Sequence, residues 1–329
     1  MKCHYSIAYL ILFIAISFSS CKKSGSNPIS GYDTYVLGTE DSHTVYWKNG
    51  NTVEVQPVNN SNFGGRIRVF NGDVYIPGNV QVNDTLHAIY NKNGVITDLG
   101  PGTAVDIAIS GSDVYVVGEI YSGTGFKAAY WKNGVITTYD EGIINCITIA
   151  NGDVYMGGTI YSATQGTQAT YWKNGVQTAL QYGFGVNDMV ISNGDFYAVG
   201  SGDASGHTAL YWKNGQPTVI GDINTLLTSI SVSGSDVYVA GRAFQTATVG
   251  AYWKNGNINV VNGTGEVTGI YVSGSDIIMS ANETYAPGYV GVQVPAKSFL
   301  IENGNMITLA SSEPPASATA TDDLCVVQH

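Results

Sequence analysis

Three observations predict an all-β chain, a seven-bladed β-propeller closed by its C-terminal strand. A repeat of about 40 residues runs through the sequence. Each repeat carries two short turn motifs at fixed phase, and a strand-like segment is left over after the last repeat. Tyr-Trp-Lys-Asn-Gly ends at Gly50, Gly134, Gly175, Gly215 and Gly256, with looser copies ending at Gly94 and Gly304. The second motif, Asp-Val-Tyr followed by a glycine, places Tyr35, Tyr75, Tyr115, Tyr155, Tyr197 and Tyr238 on the same beat, with Ile278 in the seventh place. These positions define seven modules, first to seventh.

The third module shows how each repeat is read. Ala104–Ile109 alternates as a strand, Ser110-Gly111-Ser112 turns, and Asp113–Gly118 returns. After a loop, Lys127–Lys132 and Val135–Tyr139 form a hairpin across Asn133-Gly134. Asn-Gly suits a type I′ turn because both central positions need positive φ. Four antiparallel strands in such a repeat make one propeller blade, and no apolar spacing of helical period competes. The Lys-Asn-Gly and Ser-Gly-Ser turns fall on one rim, and loops of varying length on the other.

The chain ends predict closure. The first module begins at its second strand, Tyr32–Gly38, with no first strand before it. Residues 321–327 match the innermost strand at 186–192, so the C-terminus is expected to supply the missing strand.

Composition bounds the rest. Only 12% of residues are charged, while 41 are glycine and 22 tyrosine, a strand-and-turn balance. Ile7–Phe18 is almost wholly apolar, behind Lys2, and closes on Ser19-Ser20-Cys21. It is short for a bilayer span and reads as a secretory signal. The expected organisation is a signal peptide over 1–20, a tether over 21–31, and the propeller over 32–329. Loss of Lys2 takes the net charge from −11 to −12. With no basic cluster beyond Lys22-Lys23, nucleic acid is excluded as a partner. Of four cysteines, Cys146 and Cys325 remain in the body, in modules expected to lie far apart, and are expected as free thiols.

The Ser19-Ser20-Cys21 junction resembles a bacterial lipoprotein cleavage site of the Bacteroides group. That resemblance implies lipidation of Cys21 and a place in the cell envelope, most naturally the outer membrane, with the lipid as the chain's contact with it. His87-Ala88-Ile89-Tyr90 through Asp98-Leu99-Gly100 resembles the HAF family of extracellular repeats, and His43-Thr44-Val45-Tyr46-Trp47 and His207-Thr208-Ala209-Leu210-Tyr211-Trp212 echo its opening. The likeness extends over nearly all of 32–327, implies an extracytoplasmic propeller-like array, and brings no catalytic residues with it.

All five tryptophans share one repeat slot, which points to packing between sheets. The repeat tyrosines and lysines are read the same way, so the tight-turn rim is expected to offer no distinct pocket. What differs between modules is more informative. At the start of the innermost strands the aligned slot holds Arg66, Asp106, Cys146, Asp188, Ser229, Gly269 and Asp323. Asp106, Asp188 and Asp323 are candidates for a hard cation at the channel mouth. After the second strands the slot includes Glu119 and Arg242. With Asp203 these would fix polar groups, while Tyr121, Tyr161, Phe244, Tyr285 and Tyr289 would stack on apolar faces. The leading reading is a monomeric binding module that recognises a glycan or an envelope protein through the variable rim. The alternatives are a hydrolase or lyase using Asp106, Asp188 and a bound cation, and a structural scaffold. No Gly-x-Ser-x-Gly, His-Glu-x-x-His or phosphate-loop sequence occurs.

Overall fold

The computed structural model describes residues 31–41, 43–55, 61–123, 125–162, 166–202, 208–222, 224–283, 297–311 and 319–329. Among them every regular element is a β-strand. No helix is long and apolar enough to cross a membrane. Hydrogen bonding groups the strands into five antiparallel sheets of four or five strands and one of seven. The arrangement is that of a β-propeller.

In the third module the strands are Thr103–Ser110, Asp113–Tyr121, Phe126–Lys132 and the first part of Val135–Ala150. This last strand does not stop at the end of its module. Its early residues pair with Phe126–Lys132, Lys127 opposite Glu141, and from Gly142 onward it pairs with Asp153–Ser162 of the fourth module. One continuous strand is thus the outermost of one module and the innermost of the next, which makes the seven-stranded sheet. In the first module Ala320–Gln328 lies beside Tyr32–Glu40, with Val36 opposite Leu324, as the chain ends predict. The second module departs from the pattern. Its innermost strand is split into Ser61–Asn62 and Arg68–Phe70, both beside Asp73–Val82.

The two sequence motifs turn out to be one clamp. In each Asn-Gly hairpin both residues have positive φ, as at Asn133 (50°) and Gly134 (79°). The asparagine then reaches across to the second strand. Asn133 Nδ2 donates to Asp113 Oδ1 at 2.8 Å, and its Oδ1 accepts from the Val114 amide at 2.9 Å. Lys132 Nζ sits 2.8 Å from Asp113 Oδ2 and 5.0 Å from the centre of the Tyr115 ring. The Lys132 hydrogen bond, then that of Asn133, hold the Asp113 carboxyl below the usual carboxylate range. Six modules repeat the lysine–tyrosine stacking. The repeated lysines are therefore engaged within their own blades, with nearly half their side-chain surface still in water.

The tryptophans seal neighbouring modules. Trp131 packs on Tyr75 and Ala88 of the preceding module, Trp172 on Tyr115 and Val117, and Trp212 on Ala169 and Leu180. Trp253 meets Val199 and Ala209, and Trp47 meets Leu300 and Leu309 of the seventh module. Each is wholly or almost wholly buried. A register shift recurs where the second strand passes the start of the innermost one. At that point in the third module a Cβ on Gly118 would run into the Thr103 carbonyl, so only glycine fits.

Candidate functional site

Beside this recurrent shift, the first residues of the innermost strands turn toward one another. Asp106 is wholly buried, and Asp188 and Asp323 nearly so. Each ties its own module to the next through a backbone amide: Asp323 Oδ2 accepts from Ile67 at 3.0 Å, Asp106 Oδ2 from Ile147 at 2.9 Å, and Asp188 Oδ2 from Ile230 at 2.9 Å. Their remaining valence is met by arginine. Arg68 Nη2 lies 3.0 Å from Asp106 Oδ1 and Nη1 2.9 Å from Asp323 Oδ2. Arg66 reaches from the second module to the fifth, 2.9 Å from Asp188 Oδ1 and 2.6 Å from the Asn187 carbonyl oxygen.

The cation expected at Asp106, Asp188 and Asp323 is thereby corrected. The three carboxylates do gather, but around two guanidiniums, which supply the positive charge in place of a metal. Among the described residues no group of three or more His, Cys, Asp or Glu side chains is arranged to hold a metal ion. Burial works against charge on both arginines, and the surrounding carboxylates overcome it, holding both above the usual arginine range. Burial pushes the Asp106 carboxyl up against the pull of Arg68 and Arg66. Arg68 was missed in the sequence. Its signal was available: the chain has three arginines, and two of them stand two residues apart, Arg68 opening a strand and Arg66 just before it.

An open pocket of about 530 Å³ adjoins this cluster on the variable-loop side. Arg66, Asn187, Thr228, Glu266, Asn282 and Asp322 give it a polar lining, with Leu226 and Leu227 between them. A belt of side chains fixes its wall. Asn187 donates to the Leu227 carbonyl at 2.8 Å and Thr228 to that of Val267 at 2.7 Å. Thr268 Oγ1 lies 2.8 Å from Ser280 Oγ and 2.9 Å from Thr321 Oγ1. Asn282 Oδ1 accepts from the Thr321 amide at 2.7 Å. Two carboxyls on this pocket are displaced. Desolvation by the pocket walls pushes Asp322 up to about 6, with Asp323 adding to it, although the residue as a whole is exposed at the pocket mouth. Desolvation raises Glu266 too, against the opposing charge of Arg242. Neither residue was singled out from the sequence, because slot variability says nothing about which side chains face a shared hollow.

The expected stacking residues are placed as follows. Tyr121, Tyr161 and Phe244 stand at or near the ends of the second strands of the third, fourth and sixth modules, with 66%, 45% and 51% of their surfaces exposed. Tyr121 meets Phe126 edge-on at 5.7 Å, and its hydroxyl donates to the Gly123 carbonyl at 2.8 Å. Arg242 is exposed and Glu119 half-buried, its carboxyl raised by desolvation against a hydrogen bond with Thr103. None of these lines the axial pocket. Tyr285, Tyr289, Asp203 and Cys21 lie outside the described residues. Cys146 and Cys325 are free, and burial raises both thiols, Cys325 to about 11, away from reactivity. His87 sits 3.0 Å from Asp98, in an ion-pair geometry of its own.

The tight-turn rim is less uniform than its sequence promises. Two crevices open there between sheets, one lined by Asn91, Asn93 and Gly94, the other by Ile301, Asn303 and Gly304. Asn91 and Ile301 occupy the slot that tryptophan fills in the other five modules. The expectation of no distinct pocket on that side is overturned by these two substitutions.

No protein-family model and no curated protein matches the chain. Solved structures do. The β-propeller domain of the Trilobed protease from Pyrococcus furiosus is similar over 87% of this chain and 96% of that one, at 12% identity and a TM-score of 0.53. A quinonprotein alcohol dehydrogenase-like protein from Bacteroides thetaiotaomicron is similar over 89% and 77%, at 12% identity and a TM-score of 0.51. A puromycin-hydrolyzing peptidase from Mycobacterium tuberculosis matches over 85% of this chain at 10% identity and a TM-score of 0.51, and the match takes in 53% of the peptidase, about half its length. At such identities the likeness is one of fold, and the fold is a β-propeller.

Proposed function

We propose that the seven modules form a closed seven-bladed propeller, held at the bacterial envelope by a lipid on Cys21, which binds a glycan or an envelope protein through its variable-loop rim. Closure is supported by the pairing of Ala320–Gln328 with Tyr32–Glu40 and by Trp47 packing on the seventh module. The count of seven is supported by the motif copies and by the shared strand that divides the seven-stranded sheet into two modules. The envelope location rests on the leader and on the likeness to HAF-type repeats.

One observation carries the binding reading: the axial pocket is large and sets polar side chains amid apolar surface, its lining differs from module to module, and it opens on the same rim as the exposed rings of Tyr121, Tyr161 and Phe244. Hydroxyls, amides and carboxyls around a hollow, with aromatic faces beyond it, suit a sugar or a polar loop of a partner. The test is a glycan array and an envelope-extract pull-down with the full chain in detergent, repeated with Glu266→Gln and with Tyr121→Ala/Phe244→Ala. Binding reduced about tenfold or more by either change supports the reading. Binding that survives both, and is lost only with Lys132→Ala/Lys173→Ala on the opposite rim, sinks it.

A hydrolytic or lytic reading is favoured by one feature. Asp322, at about 6, sits near the range of an effective general acid, with Glu266 on the same pocket. That reading no longer uses Asp106 and Asp188, which are committed to arginine and backbone amides. Turnover of any bound glycan, abolished by Asp322→Asn with binding retained, would decide for it.

A further inference from the structure

The loop joining the fourth module to the fifth has the same hydrogen-bond frame as the loop joining the sixth to the seventh. In the first, Leu180 N donates to the Ala169 carbonyl at 2.8 Å and Ala169 N to that of Gly183 at 2.7 Å. In the second, Val261 N donates to the Gly250 carbonyl at 2.8 Å and Gly250 N to that of Thr264 at 3.0 Å. Each frame holds one residue at positive φ. Gly263 fills that place in the second loop, at 83°, and Tyr182 fills it in the first, at 58°. Among the described residues every other non-glycine with positive φ is Asn or Asp, whose short polar side chains tolerate it. A bulky ring there costs stability. Packing does little to offset that cost, because Tyr182 is 71% exposed and stacks on no other ring among the described residues.

The backbone beneath this ring is firmly held. The Gln181 carbonyl accepts from Trp212 Nε1 at 2.9 Å, and a Cβ on Gly183 would run into Trp212 and Ala169. Both neighbours of Tyr182 are thus fixed between the fourth and fifth modules. A second ring stands over the same seam. Thr159 lies opposite Ala169, and its Oγ1 comes close to Gly185 of the fifth module. Tyr161, two residues further along and 45% exposed, leaves the strand on that same face, roughly 7 Å on. Thr167 is directly opposite Tyr161, and Gln181 is exposed beside Tyr182. None of these four side chains is charged, and the chain as a whole carries −11.

We propose that Tyr182 and Tyr161 form a two-ring platform at the seam between the fourth and fifth modules, which takes the apolar faces of a neutral glycan while Gln181 and Thr167 meet its hydroxyls. The proposal rests on the variable-loop rim being the binding face, and narrows its ligand from glycan or protein to glycan. Two rings with an amide and a hydroxyl beside them match a sugar, which is apolar on its ring faces and hydroxylated at its edges. A ring carried on a fixed backbone also loses less freedom on binding, a gain in function set against the strain at residue 182.

The test is isothermal titration calorimetry of the full chain in a detergent without sugar headgroups. The probes are cellohexaose, xylohexaose and chitohexaose, whose equatorial substituents leave flat apolar faces, with hexagalacturonate as the anionic counterpart. At least one neutral hexamer is expected to bind, about tenfold or more tighter than hexagalacturonate. Tyr182→Phe should bind it within about twofold, while Tyr182→Gly and Tyr161→Ala should each weaken it about tenfold or more. Tyr182→Gly places in this loop the residue that the matching loop already uses, so its melting temperature should equal or exceed that of the parent chain. A ring with a structural role would give a lower one. No binding of any neutral hexamer, tighter binding of hexagalacturonate, binding unchanged by Tyr182→Gly, or a lowered melting temperature in that variant overturns the proposal. Sugar binding that survives Tyr182→Gly but is lost with Glu266→Gln or Tyr121→Ala/Phe244→Ala overturns the platform alone and leaves the variable rim as the binding face. Loss only with Lys132→Ala/Lys173→Ala overturns both.

Discussion

Replacing Asp106 by alanine strands three donors in one step: the Ile107 amide at 2.8 Å, the Ile147 amide at 2.9 Å and Arg68 Nη2 at 3.0 Å. Breaking a buried ion pair from one side costs roughly 3–5 kcal/mol, and each stranded amide about 1–3 kcal/mol. These terms do not add in full. Arg68 keeps Asp323 at 2.9 Å, and the burial that raises the Asp106 carboxyl shows that its charge is itself costly to hold. A loss of about 4 kcal/mol is therefore expected, enough to move a urea midpoint by more than about 1 M. The assay is urea unfolding followed by tryptophan fluorescence, since every indole lies at an interface between modules. Asp113→Ala, which removes a carboxylate from the solvent-facing clamp, is the control and should shift the midpoint far less. Equal midpoints for Asp106→Ala and Asp113→Ala would refute the idea that the axial cluster ties neighbouring modules together.

Three further outcomes are expected. Deleting Thr321–His329 removes the strand beside Tyr32–Gly38 and takes Asp323 from Arg68, so the loss should be several times the ~1 kcal/mol typical of one substitution; an unchanged melting temperature would break the closure argument. Asp322 holds a proton in the folded state between about pH 4 and 6 that the unfolded chain has released, so stability should fall as pH rises through that window and then level off; melting temperatures of Asp322→Asn should lack this fall, and an identical profile would remove the pocket's effect on the carboxyl. Trp172→Ala should cost about 3–5 kcal/mol through the cavity left between the third and fourth modules, measured by the same urea series, and a cost below about 1 kcal/mol would deny the indoles their sealing role.

The repeat made most of the fold legible. Asn-Gly marks its hairpins because few other pairs accept two positive φ values, and the leftover strand at the C-terminus could be placed because an innermost partner was missing beside Tyr32–Gly38. The clamp joining Asp113, Tyr115, Lys132 and Asn133 was visible as two motifs but not as one object, since only strand register brings them side by side. The axial cluster was harder still. Alignment put Asp106, Asp188 and Asp323 in one slot, but no local signal tells that Arg66 crosses to an oxygen on residue 187. Asn91 and Ile301 were in plain view as looser motif copies, and their meaning needed the crevice each one fails to fill.

The strand Val135–Ala150 has a consequence for how the chain can be cut and rejoined. Residues 141 and 142 already pair with different neighbours, so no connecting loop stands between the third and fourth modules. A break or an insertion at that point would sever hydrogen bonding on both sides at once. The two modules should therefore exchange amide protons as a single unit, slower to open than their separate lengths suggest. A circular permutation or a swapped cassette has its natural seams elsewhere, where one sheet ends before the next begins.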